Sequence, residues 1–290
     1  MLLRTVRLVL PITAVVALGL WCRGGLGAQA PAPGQRPPAA RPAPRPPAKT
    51  GAAPTRTERG VPFAVGETLT YDIGWANYLT AGTATLAVRE KRPSFGSVAY
   101  YVTAEGQPVS FVAKLYPLYY KVDTLLDAYS LLPQRASTYS DENGRQKMKT
   151  TLFDQAKRSA TYEVRARTTT TQAIRLPPET HDALSAIYAI RSLALQTGTR
   201  IDLPVVDSGE VMTVRVTVVG RESVRSALGD LDAWRVEPAI LQAGEEPAAM
   251  RKLAIWLTDD GRRLPVKMTA ETAFGPFSFV LRRAGPEAPN

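Results

Sequence analysis

His181 is the one imidazole in the chain, with Asp182 beside it and Ser185 four residues on. These are the residue types of nucleophilic hydrolysis: a hydroxyl to attack, an imidazole to take its proton, and a carboxylate to orient the imidazole. Their spacing argues against that use. A working triad converges from separate segments onto a nucleophile held on a strained turn. Here all three lie within one helical turn, where adjacent residues do not face each other, and Gly-x-Ser-x-Gly does not occur. The spacing predicts a helix N-terminus instead, capped by Thr180 or Asp182, with His181 as an N-terminal helical residue.

Metal chemistry has few ligands to draw on. With one His and one Cys, a zinc finger, an iron–sulfur site, a Cys/His redox pair and a disulfide scaffold are all excluded. Asp259-Asp260-Gly261 reads as a hairpin turn, because a calcium loop needs more oxygen ligands at fixed spacing. The Gly-x-x-x-x-Gly-Lys-Ser/Thr loop that cradles phosphates is missing. No metal and no cofactor are expected, and no catalytic residue is assigned.

Arg191 stands out more. Leu184, Ile187, Tyr188, Arg191 and Leu195 fall at helical spacing and predict a helix over 181–196 with an apolar stripe. A guanidinium on that stripe must pair or reach water. Two readings are open: an anion-binding arginine at a cleft between two β halves, or a structural ion pair with Glu67 or Asp72. Aromatic residues supply the other candidates. Tyr100, Tyr101, Phe111, Tyr116, Tyr119, Tyr120 and Tyr129 crowd one stretch. If Tyr119-Tyr120 is a strand, one ring enters the core and the other lines a groove or remains ordinary barrel core. The segment from Phe111 to Tyr119 is apolar enough to touch lipid or a hydrophobic ligand. The candidate ligand-binding residues are therefore Arg191, Tyr188, Tyr119 and Tyr120.

Strands must position these groups. Tyr71, Ile73 and Trp75 alternate with Thr70, Asp72 and Gly74, and Met212, Val214, Val216 and Val218 alternate with Thr213, Arg215 and Thr217. That period marks half-buried antiparallel strands. Asn143-Gly144 is a hairpin signal because both positions tolerate positive φ. Gly198 is expected just past the helix end. Strands, one helix and more strands predict a mainly β fold: antiparallel curved sheet or barrel-like lobes with one central α-helix. The lobes are expected at about 61–175 and 199–284, joined by helix 181–196, with a short tail at 285–290.

Charge divides the chain. Residues 1–60 hold nine Lys/Arg and one Glu, whereas residues 61–290 hold 27 Lys/Arg against 25 Asp/Glu. The net charge of +10 thus belongs mostly to the N-terminal segment, which speaks against a basic nucleic-acid-binding domain. Arg4 and Arg7 precede an apolar run from Leu8 to Leu20, too short to span a bilayer, and Ala28-Gln29-Ala30 has the form of a cleavage site. Residues 1–30 therefore read as a signal peptide and the protein as periplasmic or secreted. Trp21 stands before Cys22 where a lipidated cysteine wants small residues. Residues 31–60 are rich in Pro, Ala and Arg, without aromatic or large aliphatic residues. Such a stretch cannot offset its ordering entropy by burial, so it reads as a disordered linker. Its arginines either touch an anionic surface or only keep it solvated.

Three stretches resemble a known family: Val65-Gly66-Glu67-Thr68-Leu69-Thr70-Tyr71 followed by Ala81-Gly82-Thr83-Ala84, the segment from Asp182 to Arg191, and the run from Trp256 to Val266. In this order they resemble the bacterial domain-of-unknown-function family 3108, across nearly all of 61–284. The resemblance implies an exported, β-rich envelope protein and supplies no catalytic residues. The function expected is non-enzymatic binding of a hydrophobic or lipid-like ligand or of an envelope protein. The alternative is a structural or assembly factor using its sheet edges and N-terminal tail.

Overall fold

A computed structural model of the chain describes residues 56–76, 79–241, 253–272 and 275–286. Residues 1–30, expected to be a signal peptide, most of 31–60, expected to be a linker, and the last four residues lie outside the described residues.

Two meanders make one sheet. The first is β1 (Glu67–Trp75), β2 (Leu79–Ser94), β3 (Ser97–Pro108), β4 (Leu118–Asp127), β5 (Pro133–Glu142), β6 (Arg145–Asp154), β7 (Ser159–Arg165) and β8 (Thr169–Arg175). A short helix, α1 (Ser110–Leu115), links β3 to β4. Next come β9 (His181–Asp182) and α2 (Ala183–Arg191). The second meander is β10 (Arg200–Asp207), β11 (Glu210–Ser226), β12 (Gly229–Leu241), β13 (Leu253–Thr258), β14 (Pro265–Thr272) and β15 (Gly275–Pro286). β15 pairs antiparallel with β1, so the two meanders join along one seam into a 15-stranded sheet whose ends are β8 and β9. The fold class is the mainly β, antiparallel curved sheet expected from the period-two patterning.

The sheet curves because its ladders are interrupted. Register shifts fall between Thr70 and Tyr71 in β1, Val88 and Glu90 in β2, and Val218 and Gly220 in β11. Each extra residue bends its strand and raises the local twist. The two ends of the sheet then meet by side chains rather than by a ladder. Tyr162 and Ile174 of the first meander pack with Val206 of β10. The Gln172 side-chain amide donates to the Gly209 carbonyl at 3.3 Å, and the Lys149 ammonium donates to the Ser208 hydroxyl at 2.9 Å.

Turn chemistry fixes the registers. Asn143 and Gly144 both have positive φ (52° and 78°), which matches the twist of the flanking strands. Asp259-Asp260-Gly261 is not a tight hairpin. It opens a wider loop between β13 and β14, and Arg263 rather than Gly261 takes the positive φ. The cause is Asp260, whose carboxylate accepts from the Thr258 hydroxyl and the Arg262 and Arg263 amides.

Four expectations need correction. The helix is shorter than 181–196. His181 and Asp182 pair in parallel with Val205 and Val206, so the helix starts after them; it ends at the Ser192 cap. Leu195 still reaches the core, but from the loop beyond the helix, and Gly198 closes that loop by donating its amide to the Val218 carbonyl. A second helix, α1, stands where the apolar segment from Phe111 begins. Its Phe111 and Leu115 are 67% and 74% exposed. Finally, the end of the linker docks on the body. Glu58 pairs with Lys91, the Arg59 amide donates to the Ala128 carbonyl, and Phe63 is buried just after. Opposite charges and the nearby apolar anchor hold down the last residues of an otherwise polar stretch.

Candidate functional site

The curved sheet borders a partly open cavity of about 160 Å³. Its walls come from both meanders: Leu86, Val122, Leu253, Ile255 and Phe279 line it, and α2 covers it with Leu184 and Ile187. Most of the lining is aliphatic or aromatic. An engineered apolar cavity of ~150 Å³ stays dry and takes up benzene or xenon, so this volume suits a small apolar group.

One part of the cavity is polar, and the packing of β9 against β10 puts it there. Asp182 lies opposite Val206, and Asp207 follows directly. Asp182, Asp207, Ser208, Lys149, Thr138 and Tyr120 all face the cavity. Asp182 caps α2. One carboxylate oxygen, Oδ1, accepts from the Leu184 amide (2.9 Å), the Ser185 amide (3.2 Å) and the Thr124 hydroxyl (2.9 Å). The other oxygen, Oδ2, is buried with no hydrogen-bond partner among the described residues. The residue is only 5% exposed. Burial raises its pKa above the usual carboxylate range, and the hydrogen bonds on it offset only part of that. Burial also raises Asp207, which the Lys149 charge lowers and Asp182 raises further. Lys149 itself is lowered by burial.

The three residue types of hydrolysis do touch, but in another role. The Ser185 hydroxyl accepts from the Asp182 amide at 2.9 Å and lies 3.1 Å from the Asp182 carbonyl. His181 Nδ1 is 3.3 Å from that hydroxyl. This is a reciprocal helix cap, in which two orphan amides are satisfied. The carboxylate faces Thr124 and the helix amides rather than the imidazole. Burial, with a smaller contribution from the Arg59 charge, lowers the His181 pKa to about 4.

That shift gives a direct test. The folded state prefers neutral imidazole, while the unfolded chain takes up its proton near the ordinary ~6.5. The stability this contributes, roughly 3 kcal/mol, is complete above that value and is lost as the pH falls toward 4. Asp182 and Asp207 are shifted upward and pull the opposite way in acid. The imidazole resonance therefore isolates His181 better than a melting curve, and being the one His it needs no assignment. Its proton NMR titration is expected to centre near 4; a midpoint near 6.5 would mean the ring is solvated.

The structure separates the four sequence-predicted site residues. Tyr120 faces the cavity, as does Thr138. Tyr119 points to the other side of β4, where its hydroxyl donates to Glu105 at 3.3 Å and its ring meets Tyr139. Tyr188 and Arg191 belong to a separate knot behind α2. Arg191 Nη1 and Nη2 donate to the two Glu67 oxygens at 2.7 and 2.9 Å. Nε donates to the Arg263 carbonyl and Nη2 also to the Arg262 carbonyl, both at 3.1 Å. The guanidinium carbon lies 5.1 Å from the Tyr188 ring centre and 5.5 Å from that of Phe63. Asp72, the other partner considered, faces Arg282 at 3.5 Å. Burial works against the Arg191 charge, and Glu67 more than restores it. The geometry thus gives Arg191 the structural role: it ties the N-terminal segment, α2 and the β13–β14 loop together.

Sequence reasoning missed Lys149, Asp207 and Ser208, and saw Asp182 only as a cap. Nothing in their local spacing marks them. They meet because the far ends of the two meanders come together.

Comparison with known proteins bears on this geometry. The profile of a protein family described as "Protein of unknown function (DUF3108)" matches residues 70–282. No curated protein matches the sequence. Among solved structures, a β-barrel-like protein of domain of unknown function DUF1849 from Brucella abortus is similar in fold. The TM-score is 0.50 at 10% identity, covering 77% of this chain and 98% of that one. A protein with a YmcC-like fold from Bacteroides fragilis matches at TM-score 0.33 and 13% identity, covering 79% of this chain and 100% of that one. At such identities the Brucella likeness speaks for the fold and carries no ligand across.

Proposed function

The chain belongs to the DUF3108 family, and on that premise we propose that it is an exported, non-enzymatic envelope protein whose curved sheet holds a small hydrophobic ligand. The carrying observation is the cavity of about 160 Å³, walled by apolar side chains of both meanders and covered by α2. An apolar pocket with a few convergent polar groups is the usual form of a small-molecule site. The basic, apolar and small-residue order of residues 1–30 supports export. The one His and its neighbouring Ser are engaged in the helix cap, which supports binding over catalysis. The assembly reading through sheet edges draws less support, because the two ends of the sheet lean on each other through Gln172 and Gly209.

Benzene is a suitable probe of the cavity. Titration followed by methyl NMR is expected to give saturable shifts at Leu86, Leu184 and Val122. Ala104→Phe, which pushes a ring into the cavity wall, should abolish them. Shifts confined to Phe111 and Leu115 of α1, with the cavity methyls unmoved, would reject the proposal.

A further inference from the structure

We propose that the ligand is a small amphipathic amine, with its alkyl part in the apolar cavity and its ammonium head received by Asp182 Oδ2 and Asp207. This rests on the cavity being a ligand site, and adds the chemical class of the ligand.

The argument begins with Asp182. Asp182 lines the cavity; its Oδ1 is saturated by three donors, while its Oδ2 is buried with no partner among the described residues. A buried acceptor left unpaired is costly, more so when it is a carboxylate. A ligand that supplies a donor there recovers that cost. The charge balance points the same way. Of the charged residues that line the cavity, Glu105 is already paired with Lys121 at 3.0 Å; that leaves a group of two carboxylates, Asp182 and Asp207, and one ammonium, Lys149. With all three ionised, it carries one excess negative charge. One ligand ammonium neutralises it and donates charge-assisted hydrogen bonds.

A carboxylate head meets the opposite situation. Its one attractive partner would be Lys149, whose ammonium already donates to the Ser208 hydroxyl at 2.9 Å and shares its surroundings with Asp207. It would also bring a third negative charge into a buried site. An alcohol can donate to Oδ2 but leaves the excess charge uncompensated. The expected order is therefore amine, then alcohol, then carboxylate.

Isothermal titration at pH 7 with 1-hexylamine, 1-hexanol and hexanoate tests this on one alkyl chain. Hexylamine is expected to bind about 10–100-fold tighter than hexanol, with hexanoate weakest. Asp182→Asn keeps the helix cap, since Asn caps as well as Asp, but removes the charge. It should cost hexylamine about tenfold or more and leave hexanol within a few-fold. Asp207→Asn should lower hexylamine in the same direction, which guards against a folding defect in the first variant. Hexanoate binding as tightly as hexylamine, or an amine preference that survives both substitutions, would overturn the inference while leaving the cavity as an apolar ligand site. If none of the three binds and benzene does not either, the cavity reading itself fails.

Discussion

Arg191→Met is expected to lower the unfolding free energy by about 3–5 kcal/mol, the range for breaking a buried ion pair from one side. The Arg191 side chain is fully buried and that of Glu67 is 8% exposed. Methionine replaces the aliphatic stem and the packing on Tyr188 and Phe63, but not the donors. Glu67 is then left charged with little access to water, and the carbonyls of Arg262 and Arg263 each lose a donor. Glu67→Gln should cost less, because glutamine keeps an acceptor for one Arg191 nitrogen. The double variant Glu67→Met with Arg191→Met should recover part of the loss, because no uncompensated charge remains. Urea unfolding of the four proteins measures this. A single-variant loss below ~1 kcal/mol would place the pair among exposed ion pairs of little weight. Because Arg191 lies outside the cavity, hexylamine binding per folded molecule should be unchanged.

Leu184→Ala is expected to destabilise by about 2–5 kcal/mol and to enlarge the ligand site at the same time. Leu184 is 4% exposed, belongs to the main core with Tyr188, and also lines the cavity. Truncation removes buried methyl groups on the core side and adds volume on the cavity side. Benzene and hexylamine should both still bind, and a longer alkylamine such as octylamine should gain on hexylamine relative to the parent protein. Denaturant unfolding and paired titrations check the two effects. A stability change near zero would mean that α2 packs loosely on the sheet; an unchanged chain-length preference would mean that Leu184 does not bound the ligand. Ile187 is half-buried and also lines the cavity, so Ile187→Ala should show the ligand effect with a smaller stability cost.

The one-dimensional sequence was enough for the class of the fold, because strand patterning is local. Val214, Val216 and Val218 on one face of β11 announce a half-buried strand wherever they are placed. Asn143-Gly144 announces its turn, because Asn and Gly adopt positive φ at little cost whatever surrounds them. The cap at Asp182 was legible for the same reason, since it closes within three residues. The partnership of Arg191 was half legible: an arginine on an apolar stripe demands a carboxylate, and Glu67 was one of two candidates.

What tertiary structure decided was everything set by long-range register. β6 shows this most plainly. Hydrophobicity alone would turn Met148 and Leu152 inward, yet both are exposed, while Lys149 and Thr151 face the cavity. A one-residue change of register flips every side chain of a strand. Here the ladders to β5 and β7 and the turn at Asn143-Gly144 fix that register against the local preference. The same holds for the site. Asp182 meets Asp207 because β9 pairs in parallel with β10, and both meet Lys149 because the ends of the meanders come together over a seam made by β1 and β15. Those residues are tens of positions apart, and no local period records their distance. The sequence carries the cap, the turns and the apolar faces; the curvature of the sheet turns them into a cavity lined in part by an aspartate that keeps one buried carboxylate oxygen unpaired among the described residues.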